Sequence, residues 1–282
     1  GNAAWYSRNK RPGQHLVVRF HRMELDTDHP GEVDLDAVDA VVFVARHVLE
    51  RACERWGWDP ADHRFVVVPN EVDPAPLRLP KPPDAQFTLA AIGYVPRLKR
   101  LDRALDVLEL LRAEDDRYRL VVKGREPWEH SWMAGREEER GYFEELARRL
   151  RTSAGLRGAV TFEPFGDDDV PAFLRQAGWI LSTSETEGDS VSLAEGMASG
   201  AIPVIFSRPG AAEQYEERWV HSDAAAAARA ILATVAGDGM AAESEAARNL
   251  SAAWDPARHG PAWARLLSPA GRRAPAVSSA RA

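Results

Sequence analysis

Two glutamates and a helix start carry the chemistry offered by this chain. Glu187 and Glu195 are separated by seven residues, the first in the acidic, glycine-containing turn SETEGD and the second inside the amphipathic run SVSLAEGMAS. Eight steps of about 1.5 Å each come to roughly 12 Å, a span comparable to that from the sugar to the ribose of a nucleotide-linked sugar. A carboxylate at each end can accept hydrogen bonds from vicinal hydroxyls, and charge assistance makes such bonds strong. Near Ser190, Val191 and Ser192 the first helical amides lack intrahelical partners, and with the helix dipole they suit a phosphate or diphosphate. Gly188 leaves the backbone open to close approach. A plainer use of the same residues stands beside this one: acidic residues before a helix complement its dipole, and Asp189 or Ser190 serves as an N-cap.

The elements that must position these groups are legible around them. Trp179–Thr183 is a short apolar segment that reads as a buried strand. Gly200 can terminate the helix, and Pro203 opens a second apolar strand. Strand, turn, helix and strand form one βαβ unit, which binds ligands at its turn. The same alternation recurs from Phe87 onward. It predicts strands at 88–92, 119–122, 160–162, 179–182 and 202–206, with helices at 101–112, 137–151, 170–176 and 224–235. Such a pattern implies a parallel sheet covered by helices. Upstream, 16–21, 39–44 and 65–68 read as strands and 46–56 as a helix stopped by Gly57. Pro74–Gln86 holds five prolines in thirteen residues; it breaks helix and sheet and marks a boundary.

Composition narrows the function classes. With 282 residues, 45% hydrophobic and 28% charged, the chain suits two modest globular domains. A net charge of −7 argues against nucleic acid, which needs a concentrated basic face. No apolar run approaches the ~20 residues of a membrane-spanning helix. The lone Cys53 rules out an internal disulfide and reads as a small buried hydrophobe. The histidines show no metal-ligand spacing, so no metal is expected. Asp167, Asp168 and Asp169 read as a helix-capping cluster, and the loop 125–136, with Trp128, His130 and Trp132, reads equally as a sugar-stacking wall or a surface insertion.

Ser184, Glu187, Glu195 and the run Gly-Met-Ala-Ser-Gly-Ala-Ile-Pro-Val-Ile over 196–205 resemble the signature of retaining GT-B glycosyltransferases of family 4. The resemblance extends to Phe20-His21, to the DAVVFV strand and to Val-Val-Pro-Asn-Glu-Val-Asp over 67–73. Gly93 followed six residues later by Lys99 matches the family's diphosphate-binding turn, and Gly124 matches a glycine against which the donor lies. There are departures. Asp189-Ser190 stands where Phe-Gly is usual, Glu71 where Gly is usual, and Tyr94 where Arg is usual, so that Arg97 is taken as the second cation.

The resemblance implies an α/β chain of GT-B type, with a Rossmann-like doubly wound parallel sheet in a complete carboxyl-terminal domain and a partial amino-terminal one. Residues 1–73 would be the rear part of the acceptor domain, 74–86 the linker and 87–239 the nucleotide-sugar domain. Residues 240–267 would be helices packing back towards the first domain, and 268–282 a disordered tail. Implied catalytic groups are Glu187 and His21; implied donor contacts are Gly93, Arg97, Lys99, Gly124, Ser190, Val191 and Glu195. The implied activity is retaining transfer from a UDP- or GDP-linked sugar to an acceptor hydroxyl on a saccharide, lipid or small molecule. A GT-B epimerase or hydrolase, or a truncated nucleotide-binding remnant without turnover, stays open. The expected location is cytoplasmic, with peripheral association at the inner membrane face left open.

Overall fold

The computed structural model describes residues 2–166 and 169–268. The chain forms two units: one holds the residues up to Glu71 together with those from Trp254 onward, the other Val72–Ala253.

The first unit opens with helix α1 (Asn2–Arg8), which buries only Ala4 and Ser7 and so leaves no apolar period to read. Strands β1 (Val17–Phe20) and β2 (Ala40–Phe43), helix α2 (Arg46–Trp56) and strand β3 (Phe65–Val67) follow. The strands are parallel in the order β1-β2-β3, with Val18 opposite Val41 and Phe43 opposite Val67. Every residue of β2 is buried, as expected of a central parallel strand. Helix α2 lays Val48, Leu49, Ala52 and Cys53 on this core and stops at Gly57, whose φ of 67° is the left-handed conformation glycine adopts without strain. Phe20, Phe43, Trp58 and Phe65 complete the core as a chain of ring contacts.

The second unit runs β4 (Thr88–Ile92), α3 (Leu101–Glu114), β5 (Arg119–Lys123), α4 (Glu137–Thr152), β6 (Val160–Glu163), α5 (Val170–Arg175), β7 (Trp179–Ser182), α6 (Val191–Ala198), β8 (Ile202–Phe206), α7 (Ala211–Gln214), β9 (Val220–His221), α8 (Ala224–Ala236) and α9 (Met240–Ser251). Among the described residues its sheet has six strands, all pairing in parallel in the order β6-β5-β4-β7-β8-β9. The chain winds outward from β4 in one direction and from β7 in the other, so the sheet is doubly wound, with its switch point between β4 and β7. Ligands of open α/β sheets bind in the crevice at such a point. Strands β7 and β8 are buried at every residue. Helix α6 packs on both, and α9 packs on α6 and β8. The contact of α6 with β7 is close, because a Cβ at Gly196 would come within 2.5 Å of Ile180 Cγ1.

Of the terminal helices, α9 belongs to the second unit and only α10 (Pro256–Leu267) groups with the first, so the boundary falls between the two helices that were expected to act together. The Pro-rich segment falls within the second unit. It makes 3₁₀ turns at Ala75–Leu77 and Pro83–Phe87 and buries Leu77 and Ala85. Lys81 Nζ donates to the carbonyls of Leu174 and Ala177 at 2.8 and 2.6 Å and to Ser199 Oγ at 3.2 Å. Asp167, Asp168 and the tail from 269 lie outside the described residues; Asp169 is the N-cap residue of α5 and pairs with Lys123 at 2.7 Å.

Candidate functional site

The crevice at the switch point is built from the loop after β4 and the turn after β7. The β4 loop starts at Gly93, whose φ of 73° turns the chain sharply, and proceeds through a 3₁₀ turn at Arg97–Lys99. Three bonds fasten it and the start of α3 to the β7 turn. Glu185 N donates to Leu98 O at 2.9 Å, Thr183 Oγ1 to Lys99 O at 2.8 Å, and Arg103 Nη1 to Thr183 O at 3.0 Å. Lys99 and Glu187 are thereby brought together from positions far apart in the chain.

Lys99 Nζ donates to Glu187 Oε1 at 2.7 Å, and Ser184 Oγ donates to the same oxygen at 2.6 Å. Burial pushes the Glu187 carboxyl up, but the Lys99 charge and hydrogen bond, the Ser184 bond and the Arg208 charge outweigh it and hold the group below the usual carboxylate range. It is ionised at neutral pH. Helix α6 starts beside this pair: Ser190 is its N-cap, accepting from Leu193 N at 3.4 Å, and Ser190 Oγ lies 3.3 Å from Ser192 Oγ. A narrow cleft is lined by Ile92, Gly93, Tyr94, Lys99, Ser182, Thr183, Ser184, Glu187, Ser190 and Ser192, together with apolar residues behind them. It offers a cation, a carboxylate, hydroxyls and a helix start within one concavity.

The other expected site residues fall in several places. Val191 is the first residue of α6, its side chain exposed. Glu195 is half-buried in the second turn of that helix. Gly124 follows β5, and a Cβ there would meet the Tyr94 ring at 3.2 Å, so the absence of a side chain makes room for that ring. Tyr94 is buried against Phe143 and Phe162, and burial raises its hydroxyl to about 12. Arg97 is turned away from the cleft. Its guanidinium bonds Glu138 at 2.9 Å, and its backbone N–H donates to Glu139 Oε2 at 2.8 Å, anchoring the loop to the start of α4. His21 lies in the first unit at the carboxyl end of β1, its N–H donating to Glu24 Oε2 at 2.8 Å. Burial and the nearby Arg19 charge lower its pKa, leaving the imidazole neutral at pH 7.

Two buried or half-buried cations of the second unit had no signal in the sequence. Lys123 is 2% exposed; its Nζ donates to Pro164 O at 3.0 Å and pairs with Asp169. Arg208, two residues past β8, donates from Nη1 to Ser182 O at 3.1 Å and to Phe206 O at 3.4 Å. Burial pulls its guanidinium below the ordinary value, with Tyr215 and Glu187 acting in the other direction. A lone arginine after an apolar strand has no periodicity to betray it. Among the described residues no cluster of three or more His, Cys, Asp or Glu is placed to hold a metal ion, and no helix is long and apolar enough to cross a membrane.

Residues 79–244, more than half of the chain, match the profile of glycosyl transferases group 1. The chain belongs to this family. The matched span contains the whole cleft, from Ala91 to Ser192. No curated protein sequence matches. Among solved structures the chain is similar to Anabaena HepE in complex with UDP and glucose, at 17% identity and a TM-score of 0.73 over 91% of this chain and 72% of that one. It is also similar to the G117R mutant of S. aureus TarM in complex with Fondaparinux, alpha-GlcNAc-glycerol and UDP, at 16% identity and a TM-score of 0.68 over 91% of this chain. A third is sucrose-phosphate synthase from Thermosynechococcus elongatus, at 18% identity and a TM-score of 0.66 over 93% of this chain and 70% of that one. The chain spans 51% of the length of TarM. At these identities the likeness is one of fold, and the fold is of GT-B type.

Proposed function

We propose that this glycosyltransferase moves a sugar, with retention at its anomeric carbon, from a UDP- or GDP-linked donor to an acceptor hydroxyl in the manner of family 4. The single observation that carries the reading is the meeting of Lys99, Glu187 and the start of α6 in the switch-point cleft. In this reading the diphosphate lies against the α6 amides and Lys99, where fixed dipoles and charge stabilise the negative charge that develops as it leaves. Glu187 accepts from a sugar hydroxyl, and its negative charge favours the oxocarbenium-like centre. Glu195 holds the ribose. The bond from the anomeric carbon to the diphosphate oxygen breaks, the acceptor oxygen bonds the same face, and the acceptor proton passes to the departing phosphate. The leaving charge is met by protein groups, with no metal assigned. His21 is assigned to the sugar side on the family resemblance alone. UDP-bound HepE and TarM support a uridine donor as the first to test.

Calorimetric titration of UDP and of GDP tests the donor half. One of the two is expected to bind in the micromolar range; if neither binds, the reading fails. The anomeric configuration of the transferred sugar, read by proton NMR, tests retention.

A further inference from the structure

The charge balance of the cleft is incomplete for a diphosphate. Among the described residues lining it Lys99 is the one cation, and Glu187 already neutralises it at 2.7 Å. Arg97 is committed to Glu138 and Glu139 on α4. An anion carrying two or more charges needs a further counter-charge in a partly buried site.

We propose that Arg208 supplies it, as a donor-binding residue whose guanidinium grips the diphosphate. This inference rests on the nucleotide-sugar reading above. Arg208 reaches from the loop after β8 to the carbonyl of Ser182, which lines the cleft, and lies within electrostatic reach of Glu187. Nη1 alone serves the carbonyls of Ser182 and Phe206; among the described residues Nε and Nη2 have no protein acceptor, and no carboxylate comes within ion-pair distance of the group. A half-buried guanidinium whose only hydrogen-bond partners are carbonyl oxygens, with the Glu187 charge near but not paired to it, is costly and is stabilised by an anion. Its planar fork, held at one nitrogen, is pre-organised for phosphate oxygens in a way an ammonium is not. In this chain Tyr94 follows Gly93 and packs into the sheet end, so the positive charge comes from the far side of the crevice, after β8.

The test is calorimetric titration of UDP, UMP, GDP and GMP into the wild-type chain and the variants Arg208→Gln, Arg208→Lys, Lys99→Gln and Arg97→Gln, with folding checked by circular dichroism and thermal melting. Removing one charge-assisted contact is expected to lower the preference for nucleoside diphosphate over monophosphate roughly 10- to 100-fold in Arg208→Gln. Arg208→Lys, which keeps the charge and loses the fork, is expected to fall roughly 3- to 10-fold, and Arg97→Gln to stay at the wild-type ratio. Should Arg208→Gln fail to fold, the lysine variant decides. An unchanged ratio in a folded Arg208 variant overturns the assignment, as does an equal loss of both phosphates, which marks a role limited to bracing the β7 and β8 carbonyls. If Lys99→Gln loses diphosphate while the Arg208 variants keep it, only Arg208 falls. If wild type binds none of the four, the donor reading falls and Arg208 with it.

Discussion

Lys99 and Glu187 form an ion pair of 2.7 Å across the switch point of the second sheet, the lysine from the loop after β4 and the glutamate from the turn after β7. Each group is neutralised by the other until something with more charge arrives. In the proposed reaction the diphosphate competes with Glu187 for the ammonium, and the released carboxylate oxygen is then available to a sugar hydroxyl. In that reading donor binding and the arming of Glu187 are one event.

Glu187→Gln keeps the shape of the side chain and removes its charge. Sugar transfer is expected to fall by about 100-fold or more, while nucleoside diphosphate binds at least as tightly because Lys99 is freed. A radiolabelled transfer assay beside calorimetry reads both, and a variant with unchanged turnover would remove Glu187 from the chemistry. The acid side is also defined. The folded-state pKa of this carboxyl is depressed below its ordinary 4.5, so the stability it contributes is fully present above that value and is lost as pH falls through the folded value. Acid unfolding curves of wild type and Glu187→Gln are expected to differ above pH 4.5 and to converge below it.

Glu195 sits in the second turn of α6, on the helix whose start faces the cleft. Glu195→Ala is expected to weaken the nucleoside diphosphate by about 10-fold through loss of a charged hydrogen bond to ribose, with the melting temperature nearly unchanged. Equal binding of UDP and GDP by both proteins would refute the ribose role.

Gly196 places α6 against β7, and a methyl there would stand 2.5 to 2.7 Å from three side-chain atoms of Ile180. Overpacking of this kind costs about 1–3 kcal/mol. Gly196→Ala is therefore expected to lower the melting temperature by several degrees and to weaken nucleotide binding together with it. A variant with wild-type melting would mean that Ile180 yields freely.

Lys81 is half-buried, and its desolvation together with the Arg248 charge pulls it down to about 7. An unfolded lysine titrates near 10.5, so between about pH 7 and 10.5 the unfolded chain holds a proton that the folded chain has released. Stability consequently rises with pH across that window. Urea unfolding at pH 7 and 9.5 is expected to show this rise in wild type and to lose it in Lys81→Met; parallel behaviour of the two would mean that Lys81 keeps its proton.

The framework was legible because burial imposes period. Strands β4, β7 and β8 are mostly apolar and buried and fall at the expected residues, and α2 ends at Gly57 as its stop signal predicts. Elements that bury little, such as α1 and the two-residue β9, carry no such pattern. At the site, Glu187 and Ser190 were readable from their spacing, and Lys99 from its place in the turn that resembles the family's. That Arg97 turns towards α4 was not, because it depends on which carboxylates stand nearby, and Glu138 and Glu139 come from another helix. The burial of Lys123 likewise depends on the carbonyl of Pro164, which only the folded sheet delivers.

The strand order that divides the sheet between β4 and β7 also bears on how this chain can be re-engineered. Each wing of the sheet is a contiguous piece of sequence, so domain shuffling that joins the β4–β6 half of one homologue to the β7–β9 half of another would preserve both wings. The seam of such a hybrid would run through the Lys99–Glu187 contact, and pairing cations with acids across that line is the condition for transplanting either half.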